Sequence, residues 1–507
     1  MSNCMNTLSF VKSNKGHRQL VRNGYIYKLN RQTSTKMYWI CKHQGCTATV
    51  HIDKTDNYLQ SNGEHNHLIE SEELEVQRFR IGLKDRVINE TAPIPKIFDE
   101  EIAKARFSSN ALANVPMFRD IQPGLNQARR KLTPSLPGSI SFDIPDSYRS
   151  TACGEKFLTS YLCYFSYLEP GLNQARRKLT PSLPGSISFD IPDSYRSTAC
   201  GEKFLVCDTL VGRKKRLLIF ASPKQLELLF NSSILFMDGT FSSTPPHFDQ
   251  VFIMHVLKFE SSLPCCFGLL PDRKKSTYQQ LFQELKGVAV SMNRIWKPER
   301  IITDFEPSLI SAIPAEFPDA IHQGCFFHHN QALYQRIQSL GLATAYAEDD
   351  EIRSFCRKLM ALPMLPLDVV ETSFYQLRTA LNNRQKEELR QLFLYYNDYW
   401  MNKVPINMWN VHGCQHRTNN VCYHNRLNRR LERAHANIWT FIRCIASEES
   451  RFQHFLIQLE TGAQRRAKTN ATDAIQKRVD ALNERYEKQE IDAENLLCGL
   501  ALLVDKK

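Results

Sequence analysis

Apolar residues follow three rhythms along this chain. Up to about residue 70 they come in short runs, Tyr25 to Leu29, Met37 to Cys41 and Cys46 to Ile52, parted by turn-prone stretches such as Ser61-Asn62-Gly63. Runs of that length bounded by turn residues predict β-strands. From Glu70 to about Ala113 the chain is polar, with spacing that predicts a helical connector. After Leu205 strands and helices alternate. Arg216 to Ala221, Ser233 to Met237, Gln250 to Phe259, Pro264 to Leu270, Arg300 to Thr303 and Ala320 to Phe327 read as strands. Ser276 to Met292, Pro307 to Phe317 and His329 to Leu340 have helical periodicity. From Asp349 onward the pattern is helical, ending in the stripe Ile475, Val479, Leu482 and Tyr486, which predicts a helix packed on its own domain.

These rhythms divide the chain into 1–70, a small β-rich module; 71–122, a connector; 123–205; 206–345, an α/β core; and 346–507, a helical insertion and C-terminal helices. From Ser233 the order is β-β-β-α-β-α-β-α. An antiparallel meander followed by parallel strands with crossover helices is the ribonuclease-H-like order, and it predicts a mixed sheet. Segment 123–205 departs from every rhythm. Pro123 to Leu158 recurs without one change as Pro170 to Leu205, at an offset of 47 residues, with Thr159 to Glu169 between the copies. Repeat architectures keep core positions and let surfaces drift. Identity throughout implies a recent tandem duplication or an error in the gene sequence. One copy is expected to pack and the other to form a loop.

Charge changes this picture at the N-terminus. The chain of 507 residues has a net charge of +12. Half of it lies before His67, where nine Lys or Arg face Asp53, Asp56 and Glu64. Such a field favours phosphate backbones. Arg213 to Arg216 is a shorter basic cluster that reads as a solvated turn. Fifteen scattered cysteines point to a reducing compartment with a few metal-ligand thiols. No apolar run is long enough for a membrane span, and Met1 to Phe10 lacks the pattern of a secretory signal. Gly-rich phosphate loops, nucleophile elbows and dinucleotide fingerprints are absent, which argues against nucleotide hydrolysis and cofactor redox chemistry.

Two constellations carry candidate chemistry. Cys41-x4-Cys46 is followed by His65-x-His67, and two thiolates with two imidazoles suit a closed tetrahedral Zn²⁺ site. Cys41 ends one predicted strand and Cys46 begins the next, while His65 and His67 alternate in an extended segment. With Phe10, Gly24-Tyr25 and Tyr38-Trp39, these residues resemble a FLYWCH-type zinc finger over Leu8 to Leu68. The resemblance implies a β-rich module that binds DNA or protein, and the basic charge favours DNA. Lys12, Lys15, Arg18, Arg22, Arg31 and Lys36 are the expected phosphate contacts.

Secondly, Asp238 directly follows an apolar strand, and Asp304 directly follows another. In the order above these strands are parallel neighbours, so both carboxylates reach one rim and suit Mg²⁺. Asp238-Gly-Thr-Phe, Thr303 to Glu306, Gly324-Cys325-Phe-Phe-His328, Pro246 to Gln250 and Arg417-Thr-Asn-Asn420 resemble a Mutator-like element (MULE) transposase domain over Arg216 to Asn428. Cys325 and His328 form its Cys-x-x-His motif, here expected to end the fifth strand. The family carries a third acid, a glutamate, shortly after the Thr-Asn-Asn run. Val421 stands in its place, and no Asp or Glu lies between Asp398 and Glu432. The combined expectation is a nuclear, transposase-derived, zinc-dependent DNA-binding protein without catalytic activity, compatible with a homo-oligomer. An active transposase with a damaged gene sequence and a protein-interaction module are the alternatives.

Overall fold

The computed structural model describes residues 8–13, 17–67, 69, 71–90, 92–131, 181–212, 215–414, 421–431, 435–463 and 470–504. They form two compact units. One is drawn from Met1–Leu183, Ser197–Glu202 and Ile445–Ala463, the other from Pro184–Arg196, Lys203–Cys444 and Gln464–Lys507.

The first unit opens with a six-stranded antiparallel sheet in sequence order: β1 Ser9–Lys12, β2 Arg18–Arg22, β3 Tyr25–Gln32, β4 Lys36–Cys41, β5 Thr49–Asp53 and β6 Tyr58–Asn62. Three of these strands lie outside the apolar runs. The β2–β3 hairpin turns on Asn23-Gly24, both at positive φ (50° and 82°). A tight turn of this kind needs that region twice, which Asn and Gly supply at little steric cost. Leu20, Tyr27, Met37, Trp39, Val50 and Ile52 bury one face of the sheet. Helices Ser71–Asn89, Ile94–Ala105, Ser109–Asn114 and Phe118–Arg130 follow. They enclose a core of their own built on Phe79, Leu83, Ile97 and Phe98. Gln458, on the Ile445–Ala463 segment of this unit, donates to the carbonyls of Leu112, Ala113 and Val115.

The second unit holds a seven-stranded sheet in the order β13-β12-β9-β10-β11-β8-β7. The strands are β7 Leu205–Val211, β8 Lys215–Phe220, β9 Ile234–Thr240, β10 Gln250–Lys258, β11 Ser261–Leu270, β12 Arg300–Thr303 and β13 Ile321–Gly324. β9, β10 and β11 form an antiparallel meander, whereas β12 runs parallel to β9 and β13 parallel to β12. Helices Lys275–Ser291 and Pro307–Glu316 are the crossovers, and Phe326–Ser339 follows the last strand. Two elements were not predicted, the edge strand β7 and helix Pro223–Phe230. The latter starts in a capping box between Ser222 and Gln225.

Two further expectations need correction. The strand predicted over Ala320 to Phe327 stops at Gly324, and the next helix begins at Phe326 with Cys325 as its N-cap. Phe326 and Phe327 look like strand residues in sequence, but in the fold they belong to the first turn of an amphipathic helix. Arg216 is not part of a solvated turn either. It is buried in β8, paired with Asp208 at 2.7 Å, and donates to the carbonyls of Ile187 and Phe189. Arg213 and Lys214 fall outside the described residues.

Downstream helices pack on a large core containing Leu333, Phe355, Phe374, Tyr396, Trp400 and Trp409. In the C-terminal stripe, Val479 enters that core and Leu482 and Tyr486 pack against it, while Ile475 is exposed. The expectation that one duplicate packs and the other loops falls largely on 132–180, outside the described residues. Of the second copy, Ile191 and Tyr195 are buried. Among the described residues no helix is long and apolar enough to cross a membrane.

Candidate functional sites

The zinc-ligand candidates converge. Cys41 is the last residue of β4, directly opposite Tyr27 on β3. Cys46 does not begin a strand as expected. It lies three residues ahead of β5, at the close of a turn in which its amide donates to the His43 carbonyl and Gly45 takes φ +83°. His65 and His67 lie beyond β6 in irregular backbone rather than in a strand. The Asn66 amide anchors this tail to the Gly45 carbonyl at 3.2 Å. Cys41 Sγ is 3.2 Å from His67 Nε2, Cys46 Sγ is 3.4 Å from His65 Nδ1, and the two ring nitrogens are 3.3 Å apart. All four ligand atoms lie within 4.8 Å of one another. A tetrahedral zinc with bonds of about 2.0–2.3 Å has ligand edges of roughly 3.3–3.8 Å, so the donor set and its spacing fit Zn²⁺.

The electrostatics suit a metal as well. Burial pushes the Cys46 thiol up, but backbone hydrogen bonds at Ala48 and Asn66 and a contact from Cys41 outweigh it and lower its pKa. Burial, then the neighbouring His67, lowers the His65 pKa and favours neutral imidazole, the ligating form. Aromatic rings enclose the histidines. Tyr25 stacks on His65 at 3.5 Å, and His43 stacks on His67 at 4.0 Å. The Tyr27 hydroxyl sits 2.8 Å from His65 Nε2. Sequence reasoning passed over Tyr27, because an aromatic in a strand looks like any core residue. Its place opposite Cys41 was the available signal.

The expected phosphate contacts differ in their surroundings. Arg18 pairs with Asp56 and lies over the Phe10 ring at 3.6 Å. Arg22 lies over Tyr58 at 4.0 Å and donates to Ser61, and Arg31 lies over Tyr38 at 5.0 Å. Lys36 is exposed. Lys15 and the Lys12 side chain lie outside the described residues.

The second constellation forms at the sheet rim of the other unit. Ile302 on β12 is level with Phe236 on β9 in a parallel pair, so Asp304 is level with Asp238 two residues on. Asp238 lies within β9 rather than beyond it, buried, and accepts from the Gly239 amide at 2.9 Å. His328, from the first turn of helix Phe326–Ser339, places Nε2 3.9 Å from Asp238 Oδ2. Buried Cys325 occupies the N-cap position of that helix without a side-chain capping hydrogen bond. Burial and then Asp238 push the Asp304 pKa up, against His328 and Arg273, which pull it down. Glu306 caps helix Pro307–Glu316, and burial together with Asp304 pushes its pKa up to about 7. Tyr278 donates to Glu306 Oε2 at 3.1 Å and accepts from Gln250 at 2.5 Å. Sequence reasoning had not singled out Glu306, Tyr278, Gln250 or Arg273. Glu306 had a signal in its place two residues after Asp304.

Helix Val421–Leu431 begins at Val421, where the resemblance had led to the expectation of a glutamate. Its Asn428 accepts from Ser243 at 2.6 Å, which brings the helix to the turn just beyond Asp238. Among the described residues, the Cys41/Cys46/His65/His67 cluster is the one group of three or more His, Cys, Asp or Glu residues gathered closely enough to hold a metal.

No curated protein matches the sequence. Residues 10–67 match the FLYWCH zinc finger domain, and residues 234–332 match the MULE transposase domain, less than the stretch to Asn428 that the motifs had implied. The chain carries a FLYWCH zinc finger domain followed by a MULE transposase domain.

Proposed function

We propose that this is a transposase-derived, zinc-dependent DNA-binding protein that works in the nucleus and has lost strand cleavage. The observation that carries the reading is a basic finger joined to an acidic set that lacks its third member. Val421 stands where the Mutator-like motif has glutamate, and no Asp or Glu lies between Asp398 and Glu432. The strand order β11-β10-β9-β12-β13 supports a ribonuclease-H-like core under that motif. Asp238 and Asp304 would hold Mg²⁺, which in such sites activates a nucleophile and stabilises the leaving oxygen. The rest of the rim would position the aspartates. His328 faces Asp238, and Tyr278 holds the Glu306 carboxylate near Asp304. Loss of one anionic ligand removes both charge and a coordination position, so metal retention and rate both fall.

A strand-cleavage assay with Mg²⁺ or Mn²⁺ on terminal-repeat DNA, beside an Asp238→Ala control, tests the inactive reading. No cleavage by either protein is expected, and cleavage abolished by the substitution would overturn it. DNA affinity measured against salt tests the binding. A linear fall in log affinity with log salt, of slope about −0.9 per neutralised phosphate, is expected. A flat dependence would turn the reading to a protein partner. A second reading, an active transposase, draws on the proximity of Glu306 and His328 to the aspartates, since either could supply a third group.

A further inference from the structure

Phe241 follows β9 directly, three residues beyond Asp238, and is 48% exposed. A single exposed phenylalanine is ordinary on a protein surface. This one sits on a rigid mount. Thr244 Oγ1 donates to the Thr240 carbonyl at 2.9 Å, and the Thr244 amide donates to the Phe241 carbonyl at 3.1 Å. Ser243 donates to Asn428 at 2.6 Å, and the His435 amide donates to the Ser242 carbonyl at 2.9 Å. Ser243 and Thr244 are buried. The fold therefore holds an apolar ring in water by anchoring the turn beneath it.

One cation lies against that ring. The Arg273 guanidinium lies 5.1 Å from its centroid and is steadied by Asp249 at 3.3 Å. Arg273 also stands near enough to Asp304 and Glu306 to pull their carboxyl pKa values down. Lys274 and Lys275 come next in the chain, both exposed. An aromatic face with a guanidinium beside it, and two exposed lysines following that arginine in the chain, matches one nucleotide, with the base on the ring and the phosphate on the charges. A base inside a duplex has both faces covered by its neighbours. A terminal or unpaired base offers a free face.

We infer that Phe241 and Arg273 form a stacking site for an unpaired nucleobase at a DNA strand end, beside the Asp238–Asp304 rim. The inference rests on the DNA-binding reading and gives the transposase-type unit a use that needs no cleavage. Three basic residues favour a phosphate-bearing ligand over an apolar peptide.

The zinc-loaded full chain is titrated with a blunt hairpin duplex and with the same duplex bearing a short single-stranded tail, 2-aminopurine being placed at the junction. The unaltered chain is expected to prefer the tailed DNA and to quench the probe. Phe241→Ala should lose about fivefold to a hundredfold of affinity for tailed DNA, the range for one stacked base, and lose the quenching. Its affinity for blunt duplex and its melting temperature should not move, and Phe241→Trp should retain both signals. Arg273→Ala should lower the salt slope on tailed DNA by about one. Unchanged tail affinity and quenching in Phe241→Ala would overturn this site alone. Failure of the unaltered chain to bind either DNA would overturn the DNA-binding reading and the site with it.

Discussion

Replacing Tyr27 with phenylalanine isolates one contact of the zinc site. The ring is 4% exposed and packs with Trp39, Met37 and Val50, and all of that packing survives the change. What disappears is the hydroxyl 2.8 Å from His65 Nε2. With His65 Nδ1 ligating zinc, Nε2 would carry the proton and donate to the tyrosine oxygen. Burial, then Cys41, raises the Tyr27 pKa to about 12, so the hydroxyl keeps its own proton across any practical assay range. A neutral hydrogen bond contributes about 0.5–1.5 kcal/mol. Metal charge strengthens the imidazole as a donor, and loss of an outer-shell partner costs about 10–100-fold in affinity. The expected loss is about tenfold, or roughly 1.4 kcal/mol, independent of pH between about 6 and 9. Competition with a chromophoric zinc chelator measures it. Cobalt substitution should show a tetrahedral spectrum in both proteins, with a shifted band in the variant. Nitrogen-15 shifts should place the metal on Nδ1 of His65 and on Nε2 of His67. Equal zinc affinity in the two proteins, or ligation through His65 Nε2, would refute the reasoning.

Four further outcomes are expected. Zinc removal by chelation, or Cys46→Ser, should free the tail after Asn62 and lower the finger's melting temperature, while the near-ultraviolet dichroism of the buried Trp39 persists at low temperature. Glu306→Gln should leave stability unchanged below about pH 4.5. Between there and about pH 7 the native carboxylate holds its proton longer than the unfolded one, so the parent loses stability as pH rises, and the variant, which keeps Asp304, should lose less. The gain above pH 7 should be on the order of 1–2 kcal/mol, since solvent screens a half-buried carboxylate, read by urea denaturation. Val421→Glu restores a carboxylate where the Mutator-like motif has one, and Mn²⁺-dependent nicking of DNA should appear. If the variant stays silent, the missing glutamate is not the sole lesion. Finally, Lys36→Ala should reduce the salt slope of DNA binding by about one, and Arg18→Ala by less, because Arg18 already pairs with Asp56.

The sequence revealed most where a residue type is rare and its spacing strict. Cys41, Cys46, His65 and His67 are legible because few other uses put two thiols and two imidazoles at those intervals. The neighbouring aspartates were legible because each sits at the end of an apolar run, and strand order follows from the sequence of elements. Tyr27 and Tyr278 were not legible, since their role depends on which strand or helix lies opposite. The surroundings of Arg18 and Arg22 were not legible for a related reason. Composition counts their charge but not the aromatic rings and the acid that engage them. Strand β6 is exposed throughout and carries no apolar alternation, so only pairing with β5 defines it. Helix Phe326–Ser339 started earlier than expected because Phe326 and Phe327, strand-like in sequence, sit in its first turn with Cys325 at the N-cap position.

The finger is a meander in which each strand pairs only with its neighbours in sequence, yet its histidines sit past the last strand and its cysteines near the middle. Zinc held by these four residues would be a clasp that stitches a trailing tail to the ribbon. Opening it needs only the stretch after Asn62 to peel away, while the hairpins stay zipped. Metal exchange should then proceed much faster than global unfolding. Amide exchange in β2 to β4 should lag behind zinc release, so that the finger can be emptied and refilled without being rebuilt.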